Sequence, residues 1–208
     1  MISGDSVPNY VKTIINLENI NSLALLLRYG YCMESTNTKI LERTVDVKAF
    51  VNHYVDAAGI ASRCGSCNCY GRIWSCPPYD FNVIEFWNKY SQLDLRVYQI
   101  KTNDKSWQEN RNLIRKQSMR ICLEIMDREE KVPGSFALTP GKCIMCGDNE
   151  CSRINGEACR LGQKYRYSIE SIGGDVEACL KDFFDIEILW ERNGRVPEYY
   201  TLVCGLLY

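Results

Sequence analysis

The sequence predicts an α+β or α/β domain in which helices pack on a mixed sheet of about four strands, with two cysteine-rich loops at its margin. Segments with apolar residues at helical spacing alternate along the chain with short runs rich in β-branched and aromatic residues. Two compact groups of cysteines interrupt this alternation. The 208 residues, 46% of them hydrophobic, are sufficient for one ordinary buried core.

Two helices are predicted before the first group of cysteines. Apolar residues recur at helical spacing from Leu17 to Leu27, and Gly30 suits the left-handed position that ends a helix. A second apolar face runs from Val47 to Ala58 and is followed by another glycine. We expect residues 1–60 to form an N-terminal helical region packed on the core.

The segment after the first group of cysteines predicts a helix and then a strand. Asp80 is suited to cap a helix whose apolar residues extend from Phe81 to Tyr90. From Leu93 to Ile100, apolar residues lie on both sides of an extended segment. This mixed alternation favours partial burial on both faces of the sheet.

A long helix and a short strand are predicted to lead to the second group of cysteines. Apolar residues keep roughly helical spacing from Ser106 to Glu130, and Pro133-Gly134 ends the helix. The run Phe136–Leu138 is typical of a short buried strand. We therefore expect a β-α-β unit with the second cysteine loop at its carboxyl end.

The rest of the chain predicts a helix followed by a β-hairpin. The helix extends from Val176 to Phe184, and Asp175 is suited to cap it. A strand from Ile186 to Trp190, a turn at Asn193-Gly194 and a β-rich run from Tyr199 to Leu207 follow. The predicted domain therefore closes with a strand, a turn and a strand.

Eight of the twelve cysteines fall into two compact groups. Each group opens with a Cys-x2-Cys pair and adds two more thiols within about a dozen residues, an arrangement that can hold a metal ion or a metal cluster. The sequence therefore predicts two metal sites. The first consists of Cys64, Cys67, Cys69 and Cys76, and the second of Cys143, Cys146, Cys151 and Cys159.

The spacing within the groups favours iron-sulfur clusters over zinc. Four thiolates suit either, but structural zinc sites usually have two Cys-x2-Cys knuckles or a mixture of cysteine and histidine, whereas each group here has one knuckle. Cys76 is followed by Pro77, as the last cysteine of a bacterial ferredoxin run is, although the full ferredoxin spacing is absent. Zinc therefore stays open as the alternative.

Isolated cysteines and the single histidine have simpler interpretations. Cys32, Cys122, Cys179 and Cys204 lie outside both groups, and isolated cysteines usually act as small buried apolar residues. His53 falls on the predicted helix at 47–58, where we expect a surface or half-buried imidazole rather than a catalytic base. We assign none of these residues to a metal site.

Cationic and aromatic residues border the two groups. The cations favour the thiolate forms of the cysteines electrostatically, or are simply solvated surface charge. The aromatic side chains Trp74 and Tyr79 are expected to pack over the first loop and shield it from water. The bordering cations are Arg63, Lys142, Arg153 and Arg160.

Several motifs together resemble a known family. They are the stretch CGSCNCYGRIWSCPPY from Cys64 to Tyr79, the second cysteine group, and then RYSIESIGGDV from Arg166 to Val176. In this order and spacing, they resemble the predicted metal-binding protein family catalogued as domain of unknown function 2284. The resemblance covers roughly residues 60 to 176 and implies iron-sulfur binding without implying a particular reaction.

Two residues depart from the pattern of that family. Gly162 stands where a proline tends to follow the last cysteine, and Cys69 occupies a position where a cysteine is not expected. If Cys69 is a ligand, the first cluster is saturated and the simplest role is electron transfer. If Cys69 points away, one iron stays open to a substrate, a sulfur species or a partner. We favour saturation.

Composition and charge exclude several classes of protein. The formal net charge of −1 offers no basic surface for nucleic acid. No apolar run approaches the ~18 residues needed to span a bilayer, and we expect no secretory signal. We therefore expect a cytoplasmic protein, in a compartment where cysteines stay reduced.

These observations lead to one functional hypothesis and two alternatives. We expect residues 61–208 to form a two-cluster metal-binding α/β domain that holds two [4Fe-4S] clusters. It would act in electron transfer with a redox protein partner, or as an electron-donating subunit of a larger redox system, and we expect an anaerobic host. The alternatives are a cluster enzyme or cofactor-maturation factor with an open iron, and a zinc-stabilised interaction module. No catalytic residue is assigned, and the oligomeric state is left open.

Overall fold

The computed structural model describes residues 37–102, 106–146, 150–162, 164–192 and 195–208. It confirms the α+β class. The strands are β1 Thr38–Asp46, β2 Gln92–Lys101, β3 Phe136–Leu138 and β4 Tyr199–Leu207. The α-helices are α1 Val47–Tyr54, α2 Ile60–Cys64, α3 Val83–Trp87, α4 Trp107–Lys131 and α5 Val176–Phe184, and short 3-10 helices span Ser152–Asn155 and Glu170–Ile172.

The four strands form one sheet in the order β1-β2-β4-β3. Every neighbouring pair is antiparallel, whereas a mixed sheet was expected. The expected unit β2-α4-β3 is present, and β2 and β3 run in the same direction. However, β4 lies between them and is hydrogen-bonded to both, so no two neighbouring strands are parallel in the part of the chain that the structure describes.

The strand β2 is buried on both faces, as the sequence predicts. Leu93, Leu95 and Val97 point into a core shared with α1, α3 and α5. Tyr98 and Ile100 point into a second core that they share with residues of α4. The sheet therefore lies between two helical layers, and the apolar residues of β4 are divided between the same two cores.

Two helix ends differ from the prediction. Helix α1 ends at Tyr54 rather than Ala58, because Val55 is extended and forms an isolated antiparallel bridge with Gly174. Helix α3 begins at Val83 and is capped by Asn82 rather than Asp80. The Asn82 Oδ1 accepts hydrogen bonds from the amides of Ile84 and Glu85 at 2.9 and 3.2 Å.

The later helices and strands follow the prediction more closely. Helix α4 starts after Ser106, whose side chain forms a capping box with Glu109, and it ends just before Pro133. Helix α5 has the predicted bounds, and Asp175 caps it by accepting a hydrogen bond from the amide of Ala178 at 2.9 Å. Strands β3 and β4 also have the predicted bounds.

The predicted strand from Ile186 to Trp190 is wrong. The segment is not part of the described sheet, although Ile186 and Ile188 face the first core. Its alternating pattern therefore reflects burial without strand pairing, and Trp190 is 62% exposed. The predicted turn at Asn193-Gly194 and the predicted helix at 17–27 lie outside the described residues.

Strand β1 has no counterpart among the predicted elements. Its residues are exposed or half-buried throughout, because it lies at the edge of the described sheet, where β2 is its one partner among the described strands. The strand and helix α1 precede residue 60, yet they share the sheet and the first core with the rest of the chain.

Replacement of Trp87 by phenylalanine should destabilise the fold. Trp87 is fully buried, its ring lies 5.4 Å from that of Phe50, and its Nε1 donates a hydrogen bond to the Ile172 carbonyl at 2.9 Å. Trp87→Phe leaves that buried acceptor unpaired and opens space, so we expect a loss of about 2–4 kcal/mol in the free energy of unfolding. Urea denaturation followed by far-UV circular dichroism measures this change.

The matched control is Trp107→Phe, the same chemical change at a residue that is 39% exposed. It should cost less than about 1 kcal/mol. Equal losses in the two variants would contradict the structural role assigned to Trp87.

Candidate metal centres

The first cysteine group lies on a chain of tight turns. Cys64 is the last residue of α2, and the backbone then continues through turns and bends to residue 80. The Cys67 amide donates to the Cys64 carbonyl at 2.9 Å, and the Cys76 amide donates to the Ile73 carbonyl at 2.9 Å. The Gly71 amide closes the loop by donating to the Pro77 carbonyl at 2.7 Å, with Gly71 at a φ of 67°.

The four thiols of the first group differ in exposure. Cys76 is buried, Cys64 and Cys69 are half-buried, and Cys67 is exposed. Burial, with smaller contributions from the other three thiols, raises the pKa of Cys76 to about 12. Burial and then the Cys67 thiol raise the pKa of Cys64. The Cys69 amide lies 3.5 Å from the Cys67 Sγ, and the two side chains interact directly.

The second cysteine group lies on the loop that follows β3. All four of its thiols are half-buried. Burial raises the pKa of Cys143 to about 11, and repulsion from Cys146, Cys159 and Cys151 adds to this shift. The pKa of Cys146 is also raised, first by burial and then by Cys151 and Cys159.

Within each group, neighbouring thiols therefore contribute to one another's raised pKa. The described residues do not, however, present a finished coordination sphere: in those ranges, no three His, Cys, Asp or Glu side chains are placed so that they could hold one metal ion. The donor chemistry still fits a thiophilic metal, because a cation offsets the repulsion between neighbouring thiolates and favours their deprotonation.

The glycine pair of the RYSIESIGGDV motif holds the first group against the core. Gly173 has a φ of 85°, and a Cβ there would lie 3.1 Å from the Asp56 carbonyl oxygen. The Gly173 carbonyl accepts hydrogen bonds from the Asp56 amide at 2.9 Å and from Arg63 Nη2 at 3.3 Å. Because Arg63 precedes Cys64 on α2, these contacts tie the helix that carries Cys64 to the Gly173 backbone.

The two cysteine loops contact each other directly. The Cys143 amide donates a hydrogen bond to the Ser75 Oγ at 2.9 Å, next to Cys76. Trp74 lies between the loops rather than over the first one alone, since its Nε1 donates to the Glu157 carbonyl at 3.2 Å. Tyr79 supports the first loop by donating to the Ser75 carbonyl at 2.8 Å. Ser75 was not identified from the sequence, because its role depends on a residue 68 positions away.

The other described cysteines lie away from solvent. Cys122, Cys179 and Cys204 are at most 2% exposed, as expected for isolated cysteines. Burial raises the pKa of Cys122 and of Cys179 to about 12 in each case, and the thiol of Cys143 adds to the shift of Cys122. Cys32 lies outside the described residues. His53 is exposed on α1, where its Nδ1 lies 2.8 Å from the Ala49 carbonyl oxygen.

Fold and thiols together define an α+β protein with two adjoining cysteine-rich loops. The model of the predicted metal-binding protein family DUF2284 matches residues 50–207, so the chain belongs to this family. No curated protein and no solved structure matches the chain. Among the helices of the described ranges, even the 25-residue α4 is too polar to cross a bilayer, and the others are too short or too polar.

The thiols should differ in their rates of alkylation. In folded, metal-free protein at about pH 8, we expect iodoacetamide to modify the exposed Cys67 first. Cys122, Cys179 and Cys204 should stay unmodified, because they are buried and burial raises their pKa. Mass spectrometry of proteolytic peptides at successive times gives the order.

Urea-unfolded protein serves as the control, in which all cysteines should react at similar rates. Rapid modification of the three buried cysteines in the folded protein would show that the core around them is not closed as described.

Proposed function

We propose that the protein holds two [4Fe-4S] clusters and transfers electrons, as a small carrier or as the electron-donating subunit of a larger redox system. The observation that carries the proposal is the gathering of eight thiols into two adjoining groups. The first cluster would be held by Cys64, Cys67, Cys69 and Cys76, and the second by Cys143, Cys146, Cys151 and Cys159. A bound cluster supplies a one-electron couple within about −700 to +450 mV.

The donor set supports iron-sulfur over zinc. Each group offers four sulfur donors with irregular spacing, and the lone histidine lies on α1 rather than in either loop. Trp74 and Tyr79 would limit access of water to the first site. Burial raises the pKa of Cys69, and the cations Lys142 and Arg72 partly offset this increase. The two cations therefore stabilise negative charge on the first group.

Contacts of Cys69 support a saturated first site. The side chain of Cys69 interacts with that of Cys67, and both thiols contribute to the raised pKa of Cys76. This interaction with Cys67 supports the inclusion of Cys69 among the ligands of the first site. A saturated site has no open iron for substrate, which favours electron transfer over the cluster-enzyme alternative.

The state and exposure of the cysteines support a cellular location, a kind of partner and a kind of host. All eleven described cysteines are free thiols, which supports a reducing, cytoplasmic location. Cys67 is exposed, so the first site lies near the surface, where a redox protein partner can approach. The same exposure gives oxygen access, and we therefore propose an anaerobic host.

Protein purified without oxygen should contain iron and acid-labile sulfide. Two clusters require about eight iron and about eight sulfide per chain, together with a broad visible absorption band. Metal analysis and a sulfide assay measure both contents. Stoichiometric zinc without sulfide, combined with failure to reconstitute iron, would overturn the proposal and favour a zinc-stabilised interaction module.

Replacement of Cys69 separates the saturated site from the open one. If Cys69 is a ligand, Cys69→Ala should lose up to about half of the iron and sulfide, because only the second group stays complete. The matched control is Cys179→Ala, at a buried cysteine outside both groups, which should keep the full content. Full iron content in Cys69→Ala would instead favour an open iron site.

A further inference from the structure

One arginine of the second loop reaches three backbone carbonyls of the first loop. Arg153 Nη1 donates to the carbonyls of Ile73 and Cys76 at 2.9 and 2.5 Å, and its Nη2 donates to that of Pro78 at 2.5 Å. The guanidinium also lies 5.1 Å from the centre of the Trp74 ring. Arg153 therefore holds the backbone on both sides of Cys76, the most buried thiol of the first group.

The backbone of Arg153 is itself fixed within the second loop. Arg153 lies in the 3-10 helix Ser152–Asn155, which begins directly after Cys151. The Arg153 carbonyl accepts a hydrogen bond from the Gly156 amide at 2.9 Å. The neighbouring Ser152 is 2% exposed, and its Oγ donates to the Ala158 carbonyl at 2.7 Å. This bond ties the residue after Cys151 to the residue before Cys159. A metal that joined Cys151 and Cys159 would therefore restrict the position of Arg153 as well.

We propose that Arg153 is a positioning residue that couples the two metal centres, so that metal binding at either group strengthens binding at the other. The proposal rests on the proposed pair of thiol sites, but not on the identity of the metal. Binding at the second group orders the segment that carries Arg153, and Arg153 then holds Cys76 in place. The coupling is reciprocal, because it is a free energy shared by both sites.

Arginine is suited to this role by its geometry. A planar guanidinium presents five N–H donors in fixed directions and can serve several carbonyls at once, whereas a lysine ammonium is a compact charge on a flexible stem. Arg153→Lys therefore keeps the positive charge and loses most of the bridge. A role in charge compensation alone would survive this substitution.

Cobalt titration tests the coupling without assuming iron-sulfur chemistry. Co²⁺ binding to thiolates is followed by its charge-transfer absorption under anaerobic conditions, in the full chain and in two single-site variants. Cys143→Ser/Cys146→Ser leaves only the first group intact, and Cys64→Ser/Cys67→Ser leaves only the second. The coupling factor compares two products of cobalt association constants: that of the two binding steps in the full chain, and that of the two single-site variants. We expect the first product to exceed the second by a factor of about 5 to 150.

The same comparison in an Arg153→Lys background completes a double-mutant cycle. In that background, the ratio of the two products of association constants should fall to within about threefold of unity. The matched control is Arg160→Lys, in the same loop, since the Arg160 side chain donates to the Glu150 carbonyl of its own loop. Absence of coupling in the unmodified protein, or coupling that persists in Arg153→Lys, would overturn the inference.

Amide hydrogen exchange of the metal-free protein gives a second readout. The amides of Gly71 and Cys76 bond within the first loop, so Arg153→Lys should speed their exchange by about tenfold or more, and Arg160→Lys should not. Unchanged protection would overturn the inference.

The possible failures can be told apart. Coupled cobalt binding without iron and sulfide would overturn only the proposed iron-sulfur function. Iron and sulfide binding without coupling would overturn only the role of Arg153, and absence of metal binding at both groups would overturn both.

Discussion

The two cysteine loops depend on polar contacts with each other, because neither contains enough regular structure to hold its own shape. The first loop is a series of turns, and the second contains a single short 3-10 helix among its described residues. Besides the turn hydrogen bonds within each loop, their conformation rests on hydrogen bonds that cross between them, from Arg153, Trp74 and the Cys143 amide. The thiols are thus presented by two segments that act as one structural unit, although Cys143 lies 67 positions after Cys76.

The sheet and its helices supply the rigid body to which this unit is attached. The first loop is attached through α2 and the Gly173-Gly174 pair, and the second follows directly from β3. A Cβ at Gly174 would lie 2.3 Å from the Ile169 Cγ2, which explains why glycine is needed where the motif packs most closely. The glycine pair is therefore buried, whereas seven of the eight grouped thiols are half-buried or exposed.

Sequence periodicity predicted the elements whose burial is strongly one-sided or complete. Helices α4 and α5 and strands β3 and β4 lie within about one residue of the prediction, because their apolar residues and caps are local signals. Strand β1 was missed because its mostly exposed residues carry no burial pattern, and the segment at 186–190 was wrong because alternation records burial rather than pairing. Cysteine spacing defines the two groups in the sequence, but local patterns could not show that Arg153 would cross to carbonyls 75 to 80 positions away.

The central place of β4 affects how the protein reaches its native state. Residues 199–207 pair with β2, roughly a hundred positions earlier in the chain, and also with β3. The entropy of closing so large a loop must be overcome before those pairings form, which makes the topology one of high contact order and slow folding. During synthesis, β2 and β3 emerge long before the strand that joins them. The nascent chain therefore passes through a period in which both sets of thiols have been made while the sheet that supports them is still incomplete.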